Sequence, residues 1–273
     1  MKEPLIEPTK QFNAFSKQHL KVIKLSQQLL AAYHQQKPVN LSDELDLDSA
    51  YQVQHLNNQL LETPDKTRYW KTGQLSDGKV FCAPISNNLC KFSPANFSDH
   101  KFNTLHVEAE LAFHINKSFL AKDHQDSQAS DEKILAAIDK VCVAIEILDS
   151  RLENWQTANE YLHLTDNQMN GALVLGSEIP FDKRENKAQI NFIEQAMSLY
   201  INDELIIEDK GSHPQQDPTS LLCDFVREAN LRGYDIIENS WVTTGTWSGY
   251  PKADKGDKVN VIFAGIGEAK LAL

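Results

Sequence analysis

The chain has 273 residues, 41% of them hydrophobic and 24% charged, enough apolar material for one large core or two small ones. Its 38 acidic against 27 basic residues leave a formal net charge of -11, a field that repels phosphate backbones and anionic membranes and argues against nucleic acid as a partner. No apolar run approaches the ~18 residues of a membrane helix, and the N-terminus, broken by Pro4, Glu7, Pro8 and Lys10, reads as having no leader.

Cys82, Cys90, Cys142 and Cys223 show no Cys-x-x-Cys spacing, so free thiols and a cytoplasmic protein are expected. Residues 12–62 read as helical. Phe12, Phe15, Leu20, Ile23 and Leu30, with Val22, Leu25 and Leu29 alongside, form a broad apolar stripe that ends before Pro38. A second helix is expected to start at Asp48 as N-cap and to turn Ala50, Val53, Leu56 and Leu60 inward before Pro64, leaving Gln52, Gln54 and His55 at the surface or an interface. These helices make a lobe over residues 1–66, with 67–273 as the remaining domain.

Lys71 follows in Trp70-Lys71-Thr72-Gly73, set between an aromatic residue and a glycine. By residue type alone it reads first as a surface lysine beside a turn. Residues 74–88 have turn composition and read as a loop or a lid.

The next element carries the chemistry. In Leu105-His106-Val107-Glu108-Ala109-Glu110-Leu111-Ala112-Phe113 every odd position is apolar, the period of a strand packed on one face, so Glu108 and Glu110 share the other face. Carboxylates at i and i+2 of a strand sit about 7 Å apart, and a dry setting then calls for a positive partner. Solvent on that face is the alternative.

After a polar loop, Ser130 reads as the N-cap of a short helix through Ile134, Ala137, Ile138 and Val141 that leads into a second strand, Val141–Leu148. Glu146 is the only charge in that strand, which reads as buried on both sides, and it needs a partner or a metal. Three carboxylates beside the small Ala112, Cys142 and Ala144 would form an all-oxygen site with room for a ligand. Such a site suits magnesium, manganese or calcium.

Thr165–Gly171 shapes the entrance to an apolar run, Ala172–Leu175. Residues 196–207 read as a hairpin around Asn202-Asp203. Asp217 and Pro218 start a helix with Leu221, Leu222, Phe225, Val226 and Ala229 inward and Gly233 at its end, and the last forty residues are β in character.

The ordered series Trp70-Lys71-Thr72-Gly73, Val107-Glu108-Ala109-Glu110, Ala144-Ile145-Glu146 with Asp149-Ser150-Arg151, Asp166-Asn167, Thr244-Gly245 and Gly256-Asp257 to Gly265-Ile266-Gly267 resembles the fumarylacetoacetate hydrolase superfamily. Within it the likeness is to the branch of 2-keto-4-pentenoate hydratases and 4-oxalocrotonate decarboxylases, over nearly the whole chain. The resemblance implies an α+β fold, a mixed β-sheet roll with a helical N-terminal lobe. It also implies bound Mg2+ or Mn2+ on Glu108, Glu110 and Glu146, Lys71 as the catalytic lysine, and a substrate pocket lined by Asp166, Asn167 and Thr244.

By the same likeness the substrate is a small 2-oxo acid and the chain self-associates as a homo-oligomer. Hydration of an unsaturated 2-oxo acid is the first expectation. A 2-oxo acid decarboxylase, an acylpyruvate hydrolase and a non-catalytic partner subunit of the same fold are the alternatives.

Overall fold

The computed structural model describes residues 17–61, 67–123, 128–182 and 190–273. Helices α1 (Lys17–Gln35) and α2 (Leu47–Leu61) pack on each other. Val22, Leu25 and Leu29 of α1 meet Val53 of α2 and Leu152 and Leu162 in a small core of their own. Leu20, placed in the same stripe by its spacing, is instead 55% exposed. Phe12, Phe15 and Pro64 lie outside the described residues.

Two expectations for α2 need correction. Asp46, not Asp48, caps it, accepting from Ser49 N at 2.8 Å, while Asp48 sits in the first turn and pairs with Arg232. Leu60 is exposed. Gln54, expected at the surface or an interface, lies fully buried at one: its Nε2 donates to Leu164 O at 3.1 Å and Cys82 O at 3.3 Å, and Tyr234 Oη donates to its Oε1. A side chain able both to donate and to accept satisfies main-chain groups across a junction that leucine would leave unpaired.

The rest of the described chain is built on strands β1 (Tyr69–Gln74), β2 (Val80–Ile85), β3 (Cys90–Phe92), β4 (Ala95–Asn96), β5 (His106–Ile115), β6 (Ile138–Leu148), β7 (Asn170–Pro180), β8 (Ala196–Ile201), β9 (Glu204–Lys210), β10 (Ser240–Thr243), β11 (Lys258–Phe263) and β12 (Gly267–Ala272). Helices α3 (Asp131–Leu135), α4 (Glu160–Thr165) and α5 (Ser220–Leu231) connect them. Val80–Ile85, expected as part of a loop, is thus a strand, buried at every position and paired antiparallel with β1. Ser130 caps α3 as expected, but the helix stops at Leu135 and β6 begins at Ile138. The Asn202-Asp203 hairpin is present, both residues at positive φ. α5 starts at Ser220, later than the Asp217-Pro218 start expected from sequence, with Asp217 Oδ1 accepting from Thr219 N and Oγ1 just ahead of it.

One sheet has seven strands in the order β2-β1-β10-β5-β6-β7-β3. Laid flat, its edges would be about 29 Å apart, six spacings of ~4.8 Å. Yet only residues 86–89 join β2 to β3, a link that reaches at most about 18 Å when fully extended. The sheet therefore curls. Its concave face confirms this, because Ile85, Tyr69, Trp241, Ala112, Cys142, Ala144, Leu173, Leu175 and Cys90, drawn from all seven strands, meet in one cluster.

The convex face carries the main core. Val107, Leu111 and Phe113 cluster there with Val261 and Phe263 of the second sheet, ordered β4-β12-β11-β8-β9. α5 covers β1 and β2, with Trp70 edge-on to Phe225 at 5.9 Å. The two sheets approach closely at Gly176, where a Cβ would lie 2.3 Å from Glu268 O and 2.6 Å from Ala269 Cβ. Gly176→Ala is accordingly expected to destabilise the protein by about 2–3 kcal/mol, read as a lowered urea midpoint; an unchanged midpoint would contradict this packing.

Candidate metal centre

The concave face is polar at one end. β5 and β6 pair so that Glu108 stands directly opposite Glu146 and Glu110 opposite Ala144, and directly opposed residues share a face. One oxygen from each of the three carboxylates falls within 4.8 Å of the others. Lys71 reaches the same spot because β1 runs parallel to β10 with Lys71 beside Thr243, and Thr243 beside Ala112 of β5. Its Nζ lies 2.9 Å from Glu146 Oε1, 3.2 Å from Glu108 Oε2 and 3.5 Å from Gln168 O. Lys71 is therefore buried, against the surface position its residue type first suggested.

All four groups are nearly removed from water: Glu110 and Glu146 are 0% exposed, Glu108 5% and Lys71 8%. Burial, reinforced by the other two carboxylates, holds the Glu110 carboxyl well above its ordinary range. Burial likewise lifts Glu146, with Lys71 pulling the other way, and leaves it at about 7. For Lys71, burial favours the neutral amine, but Glu108, Glu146 and Glu110 outweigh it, so the ammonium is held above its ordinary value.

Neighbouring main chain and side chains fix the carboxylates. Thr243 Oγ1 donates to Glu110 Oε2, and Gly245 N donates to the same oxygen at 3.2 Å. Gly245 can aim its N–H there because its φ is +105°, which a side chain would oppose. Asn170 Nδ2 donates to Glu146 Oε1 at 3.1 Å. Glu110 Oε1 and Glu146 Oε2 remain buried with no partner in the protein, two orphaned acceptors that fit a hard cation. Three carboxylates less one ammonium leave a formal charge of -2, which one dication would balance.

The remaining residues singled out from sequence are placed differently. Thr244 turns away: its hydroxyl donates to Leu111 O, and its own carbonyl accepts from His213 Nε2. Thr243 and Asn170, which contact the cluster, were not singled out by sequence reasoning. The strand alternation that puts Trp241 on the concave face would have put Thr243 there too. Asp166 is 4% exposed, and its carboxylate is taken by Arg151 Nε, Ser150 Oγ at 2.8 Å and Arg151 N at 2.9 Å.

Asn167 exchanges amide hydrogen bonds with Asn58 of α2 at 2.9 and 3.2 Å. With Gln168 and Met169 it forms three successive left-handed residues, φ 49°, 53° and 60°, a conformation costing about 1–3 kcal/mol per residue without glycine. Arg151 holds this turn by donating to the carbonyls of Asp166 and Asn170 at its two ends. Ala112, Cys142 and Ala144 pack beside the cluster with Leu173, Leu175 and Trp241.

The titration of Glu146 sets a pH dependence. A carboxyl whose folded pKa lies above the ordinary 4.5 favours the fold below that value and loses the contribution as pH rises through the folded value. In metal-free protein this contribution therefore falls away between 4.5 and about 7. A dication needs the carboxylates ionised, so magnesium is expected to raise the melting temperature several degrees more near pH 8 than near pH 5.5. Equal shifts in a thermal-denaturation series would contradict the assignment.

The model of the fumarylacetoacetate (FAA) hydrolase C-terminal family matches residues 54–272. A 2-hydroxyhexa-2,4-dienoate hydratase of Comamonas testosteroni is 24% identical over 165 residues, a match spanning 60% of this chain and 58% of that protein. The 4-oxalocrotonate decarboxylase of Pseudomonas putida G7, complexed with calcium and acetate, superposes with a TM-score of 0.76 at 16% identity, covering 95% of this chain and 98% of that one. The same decarboxylase with magnesium and adipate gives 0.74, and at this identity the likeness is one of fold. Matched over most of its length by the family model, the chain belongs to the fumarylacetoacetate hydrolase family.

Proposed function

We propose that this chain is a divalent-metal-dependent lyase that adds water to a small unsaturated 2-oxo acid. One observation carries the reading: three buried carboxylates and a buried lysine converge on the concave face with two carboxylate oxygens left unpartnered. The 2-hydroxyhexa-2,4-dienoate hydratase relative supports hydration. The calcium and magnesium complexes of the fold neighbour support a dication, magnesium or manganese being the proposed one.

Glu108, Glu110 and Glu146 are the residues that would hold the ion. When bound, a dication supplies Lewis-acid stabilisation to the negative charge that a 2-oxo acid develops as its enolate forms. Addition of water to a double bond conjugated with the oxo group places that charge on the oxo oxygen. Lys71, held protonated between Glu108 and Glu146, provides a second positive charge and a donatable proton beside it.

The main-chain N–H of Gly245 and the hydroxyl of Thr243 keep Glu110 Oε2 occupied and leave Oε1 without a protein partner. Asn170 does the same for Glu146. Decarboxylation of a 2-oxo acid and hydrolysis of an acylpyruvate develop the same charge. Incubation of the magnesium-loaded protein with a panel of 2-oxo acids, with products identified by mass, separates these reactions: gain of water is expected, and loss of carbon dioxide or cleavage would assign one of the other two.

Two substitutions divide the roles. Glu146→Gln is expected to abolish both bound metal, measured by elemental analysis, and turnover; unchanged metal content would remove Glu146 from the ligand set. Lys71→Met should retain the ion and lose turnover by about 10²–10⁴-fold, and wild-type rates in that variant would discard its role.

A further inference from the structure

We infer that His213 is a positioning residue of the metal centre, acting on Glu110 through a single peptide group, the one that joins Thr244 to Gly245. This rests on the assignment of Glu110 as a ligand made above and adds the residue that sets its geometry. β10 ends at Thr243, the last of its residues paired with β5, so the Thr244–Gly245 peptide lies just past the ladder. Its carbonyl and its N–H face opposite ways, as in any trans peptide. The Gly245 N–H donates to Glu110 Oε2 at 3.2 Å, and the Thr244 carbonyl accepts from His213 Nε2 at 2.9 Å.

The two partners of the imidazole fix its state. Nδ1 accepts from Gln215 N at 3.2 Å, a group that can only donate, and Nε2 faces a carbonyl, which can only accept. One arrangement satisfies both, a neutral ring with its proton on Nε2. Burial, against the pull of Thr244 O and Asp217, holds the imidazole below its ordinary value and so favours that form. The ring, on the loop between β9 and α5, is 3% exposed and lies 5.4 Å from Trp247. Ser212 Oγ donates to Trp247 O at 2.6 Å, and Trp247 N donates to Ala109 O at 2.8 Å. His213 is thereby anchored to the strand that carries Glu110.

The peptide needs this anchor. Gly245, with φ +105° and no side chain, lets the plane turn over at little cost. Turned over, it would aim a carbonyl at the Glu110 carboxylate in place of an N–H. The His213 bond selects the orientation that donates, and a carbonyl that already accepts a hydrogen bond makes the N–H of its own peptide a stronger donor. With Oε2 satisfied from this side, Oε1 is the Glu110 oxygen left without a protein partner.

Two substitutions separate this role from packing. His213→Phe keeps a ring against Trp247 and loses the donor. His213→Gln loses the ring and keeps an amide able to donate to Thr244 O and to accept from Gln215 N. In manganese titrations of the full chain, read from the paramagnetic resonance signal of the unbound ion, His213→Phe is expected to bind roughly tenfold more weakly, the scale of one hydrogen bond to a charged group. His213→Gln should recover the affinity to within about threefold. Equal affinities in all three proteins, or a loss in His213→Gln as large as that in His213→Phe, would overturn the inference. If His213→Phe does not fold, a tenfold loss in His213→Gln at an unchanged melting midpoint overturns it instead. The Gly245 amide gives a reading that needs no metal: in protein carrying isotope-labelled glycine, its proton resonance is expected to move upfield in His213→Phe and to stay in place in His213→Gln. A Gly245 resonance unmoved by His213→Phe overturns this inference alone, whereas absence of manganese binding to the unsubstituted protein overturns it together with the ligand assignment.

Discussion

Glu108 and Glu146 face each other across β5 and β6 because the backbone register makes them partners. Their proximity is thus set by main-chain hydrogen bonds and cannot be relieved by choosing other rotamers alone. Glu110, one step further along the same face, completes a group of like charges on the concave face of a curled sheet. A buried cluster of this kind is a poor way to stabilise a fold, since desolvation of several ions commonly exceeds what their pairing returns. Its surroundings are arranged to make it tolerable: Lys71, Thr243, Gly245 and Asn170 each supply a donor to one of these oxygens. The charge still outstanding is the strongest physical argument for a dication.

The curl of the seven-stranded sheet gives the cluster its isolation. A short link between the two edge strands forces side chains from every strand to meet, and Leu173, Leu175 and Trp241 fill the region beside the carboxylates. Strain is concentrated next to the site. The left-handed run Asn167–Met169 brings Gln168 O to Lys71 and leads directly into Asn170. Arg151 and Asp166 keep that run in place, so a buried ion pair outside the cluster still governs where the Gln168 carbonyl that accepts from Lys71 and the Asn170 amide that donates to Glu146 sit.

Much of this was legible in the residues. The apolar alternation around Glu108 and Glu110, and the solitary charge at Glu146, identified the strands and the faces of the carboxylates, because a period of two survives whatever the tertiary context. The pairing of those strands was not legible, since register depends on connections and closure. Residue type alone places Lys71 at the surface, and only the partners across the fold reveal that a polar group has been buried and satisfied. The strand Val80–Ile85 was hidden by Pro84 and by the turn-forming residues ahead of it. Thr243 was passed over for its neighbour Thr244, a slip of one residue that in a strand reverses the face.

The central claim is that Glu108, Glu110 and Glu146 together bind one dication. An anomalous difference map from a crystal of the protein grown with manganese addresses it most directly. The account predicts a single peak within about 2.0–2.6 Å, the span of oxygen–dication contacts, of an oxygen from each of the three glutamates. An empty cluster at full manganese occupancy elsewhere, with Lys71 alone spanning Glu108 and Glu146, would contradict it.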